Sequence, residues 1–241
     1  MSAPESMPPA PPIAVLSRQQ VRRIDSAAVQ QLCLPSLVLM ENAARGLCEV
    51  IRSTGAWPAI TIVAGPGNNG GDGLAATRLL AVDPPIPGKV QVLLIRGDKS
   101  LSPDAQANLM ILQRCGIPVD EPSSESAAEL IAGLPPDTLL VDALLGTGVR
   151  GTVSAPFLSI IKAINRSHAT KVAVDVPSGL DCDSGEPCGA AVRADHTVTF
   201  VAPKPGLLTP GGREFCGRLH VKHIGVPAAW IVTCLQFPDG P

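Results

Sequence analysis

Apolar residues recur at helical spacing in the first quarter of the chain and in short unbroken runs after it. Ser17-Arg18-Gln19-Gln20 has the form of a capping box, Ser17 capping and Gln20 reaching back. Val21, Ile24, Ala28 and Leu32 follow on one helical face. Leu37, Met40, Ala44, Leu47 and Ile51 form the stripe of a second helix starting near Ser36. Two helices therefore precede any strand. From Ala59 the pattern changes: residues 59–64 (AITIVA) are apolar, β-branched and followed by glycines, which predicts a buried strand. Similar runs lie at 90–95, 138–141, 171–176 and 197–201, with a last short strand at 219–221. Between them, 73–80, 103–115, 124–132 and 156–165 read as helices. Strands alternating with helices imply right-handed crossovers and a mostly parallel sheet covered on both faces. The predicted fold is an α/β, Rossmann-like three-layer α/β/α sandwich with an N-terminal helical extension. The stretch beyond Pro227 has no clear pattern.

Composition narrows the function. The 241 residues suit a single large domain, and no internal seam divides them. Residues 1–12 (MSAPESMPPAPP) read as a solvated arm, leaving 13–241 as that domain; they lack the apolar core of a signal peptide and the arginines of a presequence. A net charge of −2 offers no basic footprint for nucleic acid. Four Phe, two Trp and no Tyr argue against base-stacking platforms. No apolar run approaches the ~18–20 residues that span a bilayer. Seven scattered cysteines, without a C-x-x-C, argue against zinc and a disulfide framework and for reduced thiols in the cytoplasm. The four histidines form no ligand set.

In open parallel sheets ligands bind beyond the carboxyl ends of the strands. Polar and Gly-rich segments follow four of the predicted strands. In the first, 65–73 (GPGNNGGDG), five glycines in nine residues carry an entropic cost that a geometric need must offset. Gly65 to Gly70 matches G-x-G-x-x-G, whose amides cradle a diphosphate at a helix start. Yet the acidic ribose ligand expected after the second strand is replaced by Arg96-Gly97, and no Gly-Lys-Ser/Thr follows to make a P-loop. A tight turn explains some of the glycines but not Asn68, Asn69 and Asp72 among them. In the second, 142–152 (DALLGTGVRGT), Gly-Thr-Gly frees amides for an anion and Arg150 offers either a charge-assisted contact or a solvated charge. In the third, Asp175 ends an apolar strand: either a desolvated carboxyl suited to acid/base work or an acceptor for its own turn. In the fourth, Lys204 stands between two prolines, facing substrate or solvent.

The ordered set resembles the NAD(P)H-hydrate epimerase family, also called the YjeF N-terminal domain family. The residues carrying the resemblance are 39–44 (LMENAA), 65–73 (GPGNNGGDG), 142–148 (DALLGTG), 174–181 (VDVPSGLD) and 202–207 (APKPGL), within a similar stretch from about 17 to 227. Any one of these arises by chance; five in order on the expected elements are specific. The resemblance implies an isomerase that interconverts the R and S forms of C6-hydrated NADH and NADPH. It implies substrate contacts from Asn68, Asn69, Gly70, Gly71 and Asp72, from Gly146, Thr147, Gly148, Val149, Arg150, Gly151 and Thr152, and from Asp175. It also implies one potassium ion per subunit on Asn69, Asp142 and Ser178, no organic cofactor, a homodimer built on the N-terminal helices, and catalytic roles for Asp175 and, less directly, Lys204.

The chemistry follows from the substrate. The ring nitrogen expels the C6 hydroxyl once an acid protonates it, and water returns to either face of the resulting cation. Asp175 is the expected acid and then base, a kind of help typically worth ~10²–10⁴-fold. Many bacterial members carry a fused dehydratase, and this chain ends where it would begin, so the expected repair partner is a separate dehydratase. Two alternatives stand beside this reading: an NAD-dependent oxidoreductase using Gly65 to Gly70, and an apolipoprotein-type binding partner, a role described for animal members of the family.

Overall fold

The computed structural model describes residues 15–82 and 88–236; the expected arm at 1–12 lies outside them. Helix α1 (Arg18–Gln31) starts where the capping box places it. Ser17 Oγ accepts from the Gln20 amide, and the Gln20 side chain accepts from the Ser17 amide. Helix α2 (Ser36–Thr54) buries Met40, Ala44, Leu47 and Ile51 of the predicted stripe under the sheet, with Leu39 and Ala43 beside them, while Leu37 of that stripe is exposed.

The chain then runs β1 (Ala59–Ala64), α3 (Asn68–Leu80), β2 (Lys89–Leu94), α4 (Pro103–Arg114), α5 (Ser124–Ala132), β3 (Thr138–Ala143), α6 (Phe157–Arg166) and β4 (Thr170–Val174). It ends with β5 (His196–Phe200), α7 (Pro205–Leu208), α8 (Pro210–Cys216), β6 (Arg218–Lys222) and α9 (Ala228–Gln236). The strands form one sheet in the order β2-β1-β3-β4-β5-β6, and every pair is parallel. Alternate strand residues feed two cores. Ile60, Ile62, Val141, Val172 and Val174 pack with α2, α3 and α4, whereas Val63, Leu93, Leu140 and Ala173 pack with α5 and α6. The fold is the expected three-layer sandwich.

The sheet order reverses between β1 and β3. There the chain leaves β1 in one direction for β2 and later returns past β1 to β3, and the crevice at such a switch point is where α/β sheets bind ligands.

Three differences from the sequence reading have physical causes. Helix α3 begins at Asn68 rather than at Gly73, because its glycines serve packing rather than turning. A Cβ on Gly71 would come within 2.6 Å of Met40 Cε, and one on Gly73 within 2.7 Å of the Ala143 methyl. Close approach to α2 and β3 outweighs low helix propensity. The short helices α7 and α8, beginning at Pro205 and Pro210, fill the connection from β5 to β6, too brief for a periodic signal. The stretch beyond Pro227 forms α9, which buries Ile231 and Cys234; its Cys234 carbonyl accepts from Arg23 of α1. All seven cysteines are free thiols.

Candidate active site

The strand exits and the N-terminal helices enclose one large cleft of about 1110 Å³, at or above the ~300–1,000 Å³ usual for small-molecule sites. Its wall combines Arg22 and Asp25 of α1, Asn68, Asn69 and Asp72 of α3, the loop after β3, Asp175 after β4, and Phe200 and Val201 after β5.

Neighbouring strands β4 and β5 end in the same rare way. Asp175 has φ +62° and sits inside a hydrogen bond of 2.7 Å from the Val176 amide to the Val174 carbonyl. Val201 has φ +68° inside the matching 2.8 Å bond from Ala202 to Phe200. These are γ-turns with a left-handed centre, a strained form on non-glycine residues. The first aims the Asp175 carboxyl along the sheet. There Oδ1 accepts from Lys204 Nζ, from Thr199 Oγ1 at 3.3 Å and from the Phe200 amide at 3.4 Å.

Lys204 faces neither substrate nor solvent. It is 0 % exposed and does not line the cleft. Its ammonium also donates to Thr199 Oγ1 at 2.7 Å and to the Phe200 carbonyl at 3.1 Å. Its effect on a reacting group therefore runs through Asp175, which makes it a positioning residue.

Two more carboxyls share the wall with Asp175. Burial, then the charge of Asp175, push Asp25 up to about 6 against the pull of Lys204. Burial, then Asp175 and Asp25, hold Asp72 well above the usual carboxylate range. Asp25 escaped the sequence reading because it precedes every strand. The signal was present: four residues after Val21 and one after Ile24, it sits on the inward face of α1, where an apolar residue belongs. A clamp fixes that helix over the cleft. Arg18 Nη2 donates to Asp181 at 2.6 Å, and the Arg18 amide donates to Asp183 at 2.9 Å. Against burial, hydrogen bonds from Ser184, Arg18 and Asp183 keep the Asp181 carboxyl down at about 2. Asp181 and Asp183, which read as plain loop residues, are that clamp.

Behind the loop after β3 lies a nest of oxygens. Asp142, wholly buried, accepts from Ser178 Oγ at 2.6 Å, the Ser178 amide at 2.8 Å and the Leu144 amide at 3.3 Å. Burial nevertheless pushes it up to about 6. Asn69 Nδ2 donates to the Leu145 carbonyl at 3.0 Å, which leaves Asn69 Oδ1 buried with no hydrogen-bond partner. An orphaned amide oxygen beside a carboxylate, a hydroxyl and a carbonyl is a donor set for a hard cation. Asn69, Asp142 and Ser178 are thus brought together.

Of the residues expected at the substrate, Asn68, Asn69, Asp72, Gly146 to Arg150, Thr152 and Asp175 line the cleft. Gly70, Gly71 and Gly151 are not among its lining residues. Gly70 packs so tightly on Gly65 that a Cβ would lie 1.8 Å from its carbonyl oxygen, Gly71 abuts Met40, and Gly151 turns the exposed loop at φ +67°. Arg22, Lys99 and Arg150 bring positive charge to the same cleft. His196 Nδ1 lies 3.1 Å from His220 Nε2 across β5 and β6, remote from this chemistry.

A family model described as YjeF-related protein N-terminus matches residues 36–206. The chain belongs to this family. It is 36 % identical to an NAD(P)H-hydrate epimerase of Rhodopirellula baltica, over 92 % of this chain and 88 % of that protein. It is 39 % identical to one of Limosilactobacillus fermentum, over 86 % and 94 %. A bifunctional NAD(P)H-hydrate repair enzyme of Archaeoglobus fulgidus is 42 % identical over 83 % of this chain, which spans 39 % of that longer protein. The crystal structure of yeast ynu0 superposes with a TM-score of 0.71 at 22 % identity, covering 88 % of this chain and 87 % of that one. That likeness is one of fold. None of these relatives is named as an oxidoreductase or a lipoprotein-binding protein. Among the described residues no helix is long and apolar enough to cross a membrane.

Proposed function

We propose that this member of the YjeF N-terminal family is an NAD(P)H-hydrate epimerase, with residues 13–241 as one catalytic domain. The observation that carries the reading is the mixed lining of this cleft. Carboxyls on Asp25, Asp72 and Asp175 line its wall, while the Gly146–Gly148 backbone and the cations of Arg22, Lys99 and Arg150 line it too. A hydrated nicotinamide dinucleotide has the matching halves: a ring that turns cationic when hydroxide leaves, and a diphosphate. The carboxyls suit the first and the amides and cations suit the second. Asp175 acts at the reacting ring.

The donor set of Asn69, Asp142 and Ser178 fits potassium. Bound there, the ion would tie the start of α3 to the loop after β3, fixing the substrate-facing backbone and neutralising Asp142. The chain's own residues do the proton chemistry. Val29, Leu32, Leu37 and Val38, 38–41 % exposed on α1 and α2, support a homodimer through these helices. Seven free thiols support a cytoplasmic setting.

The test mixes purified protein with separated R-NADHX and follows both epimers by chromatography, alongside Asp175→Asn. Rapid equilibration, lost by ~10²-fold or more in a folded variant, is the expected result. No acceleration over buffer with potassium present refutes the reading.

A further inference from the structure

Asp25, Asp72, Asp104 and Asp175 bring four carboxyls to the cleft, and the buried cation beside Asp175 is committed. Lys204, fully buried, gives its ammonium to Asp175, Thr199 and the Phe200 carbonyl. The ion pair with Lys204 leaves Asp175 without a proton to give, so a donor must come from elsewhere on the wall.

A source is present nearby. Asp25 and Asp72 face the same cleft from different helices, and among the described residues none donates a hydrogen bond to either side chain. Asp72, only 9 % exposed and without a partner, marks this wall as one that a ligand or a proton completes. The charged groups sharing the cleft with Asp25 are Arg22 on its own helix, Lys99 and Asp104 around the start of α4, Asp72, Asp175 and Arg150. Of Asp25 and Asp72, Asp72 is the deeper, its carboxyl held well above the usual range by burial. Asp25 is more open, and burial sets it at about 6, near working pH, where a proton donor is most effective.

We propose that Asp25 is the proton donor to the departing C6 hydroxyl and Asp175 the acceptor from the returning water. The assignment rests on the epimerase reading above. In the first half, the Asp25 proton passes to the hydroxyl oxygen. The C6–O bond breaks as water leaves, and the ring-nitrogen lone pair closes the N1–C6 double bond. In the second half, a water oxygen bonds to C6, the electron pair returns to N1, and the surplus water proton passes to Asp175. Proton return from Asp175 to Asp25 through cleft water restores the starting state. Carboxyls on two elements, α1 and the exit of β4, thus divide the work that a single acid would otherwise do alone.

The test compares wild type, Asp25→Asn, Asp25→Glu and Asp72→Asn. Epimer equilibration is followed across the pH range and corrected for buffer catalysis, with folding checked by circular dichroism. Wild-type kcat should fall toward alkaline pH. Asp25→Asn should lose ~10²-fold or more in kcat with KM little changed, and should lose that alkaline limb. Asp25→Glu should restore part of both. An Asp25→Asn enzyme with wild-type rate and limb overturns the proposal, as does loss of the limb in Asp72→Asn alone. If wild type itself fails to equilibrate the epimers, the epimerase reading falls. Carbon NMR of labelled aspartates then decides this assignment separately. Expected is an Asp25 carboxyl that titrates near 6; one that ionises at the ordinary carboxylate value overturns it.

Discussion

Replacing Asp25 with Asn should stabilise the protein, by an amount that depends on pH. In the folded chain, burial and then the nearby Asp175 charge lift this carboxyl from 3.8 to about 6. At ~1.4 kcal/mol per pH unit the full effect is about 3 kcal/mol, and the partial exposure of Asp25 trims it to about 2–3 kcal/mol. The sign follows from linkage. A carboxyl raised on folding binds protons more tightly in the folded than in the unfolded chain. Its proton therefore favours the fold below the unfolded value, and that benefit disappears as pH rises from about 4 to about 6. Above about 6 the ionised group is a constant burden. Asn has no proton to lose. Urea unfolding of both proteins, without ligand, from about pH 4 to 7.5 reads the difference directly. The stability curves should diverge upward for the variant, nearly equal effects at the acid end giving way to an advantage of about 2–3 kcal/mol at the neutral end. Other titrating groups, such as Asp142 and His220, occur in both proteins and largely cancel. Parallel curves would refute the reasoning, because they would mean that Asp25 is as well solvated in the folded chain as in the unfolded one. A variant that gains stability while losing turnover would show a charge kept for function at the expense of the fold.

Potassium should raise thermal stability where tetramethylammonium, too large for the oxygen nest, does not, by about 2.7 kcal/mol at a hundredfold excess over Kd; Asn69→Ala should abolish the difference in a thermal-shift assay. Gly65→Ala should destabilise by about 3 kcal/mol or more in urea unfolding, since its Cβ would sit 1.8 Å from the Leu144 carbonyl oxygen, backbone that cannot step aside. Val38→Lys, on the exposed apolar surface of α2, should shift sedimentation toward monomer without unfolding the chain; an unchanged profile would place any dimer elsewhere.

The strands were legible because a parallel sheet buried on both faces leaves continuous apolar runs; residues 59–64 and 124–132 match β1 and α5 to the residue. Asn69, Asp142 and Ser178 lie far apart in sequence, and their convergence was foreseen through resemblance, since spacing alone says nothing of a site that three strand exits build together. Lys204 was legible as unusual, but its burial was not: a lysine between prolines gives no hint that its charge will be enclosed. Asp25 was missed for the opposite reason. It sits on a helix that looks amphipathic and structural, and contacts such as the Arg18 clamp, which spans more than half the chain, bring that helix over the cleft. Glycines in 65–73 read as turn formers, whereas Gly70 and Gly71 are spacers inside a helix.

The paired γ-turns at Asp175 and Val201 bear on transplanting this chemistry. Two adjacent strands leave the sheet through conformations that their own side chains disfavour, and each is held by bonds to its neighbours: Asp175 N–H to the Val198 carbonyl, Val201 N–H to the Lys222 carbonyl. Neither exit is a property of a short peptide. A graft of Asp175 and Lys204 onto another parallel sheet would carry the residues without the aim. The smallest portable unit is the three-strand segment β4, β5 and β6 with both turns intact.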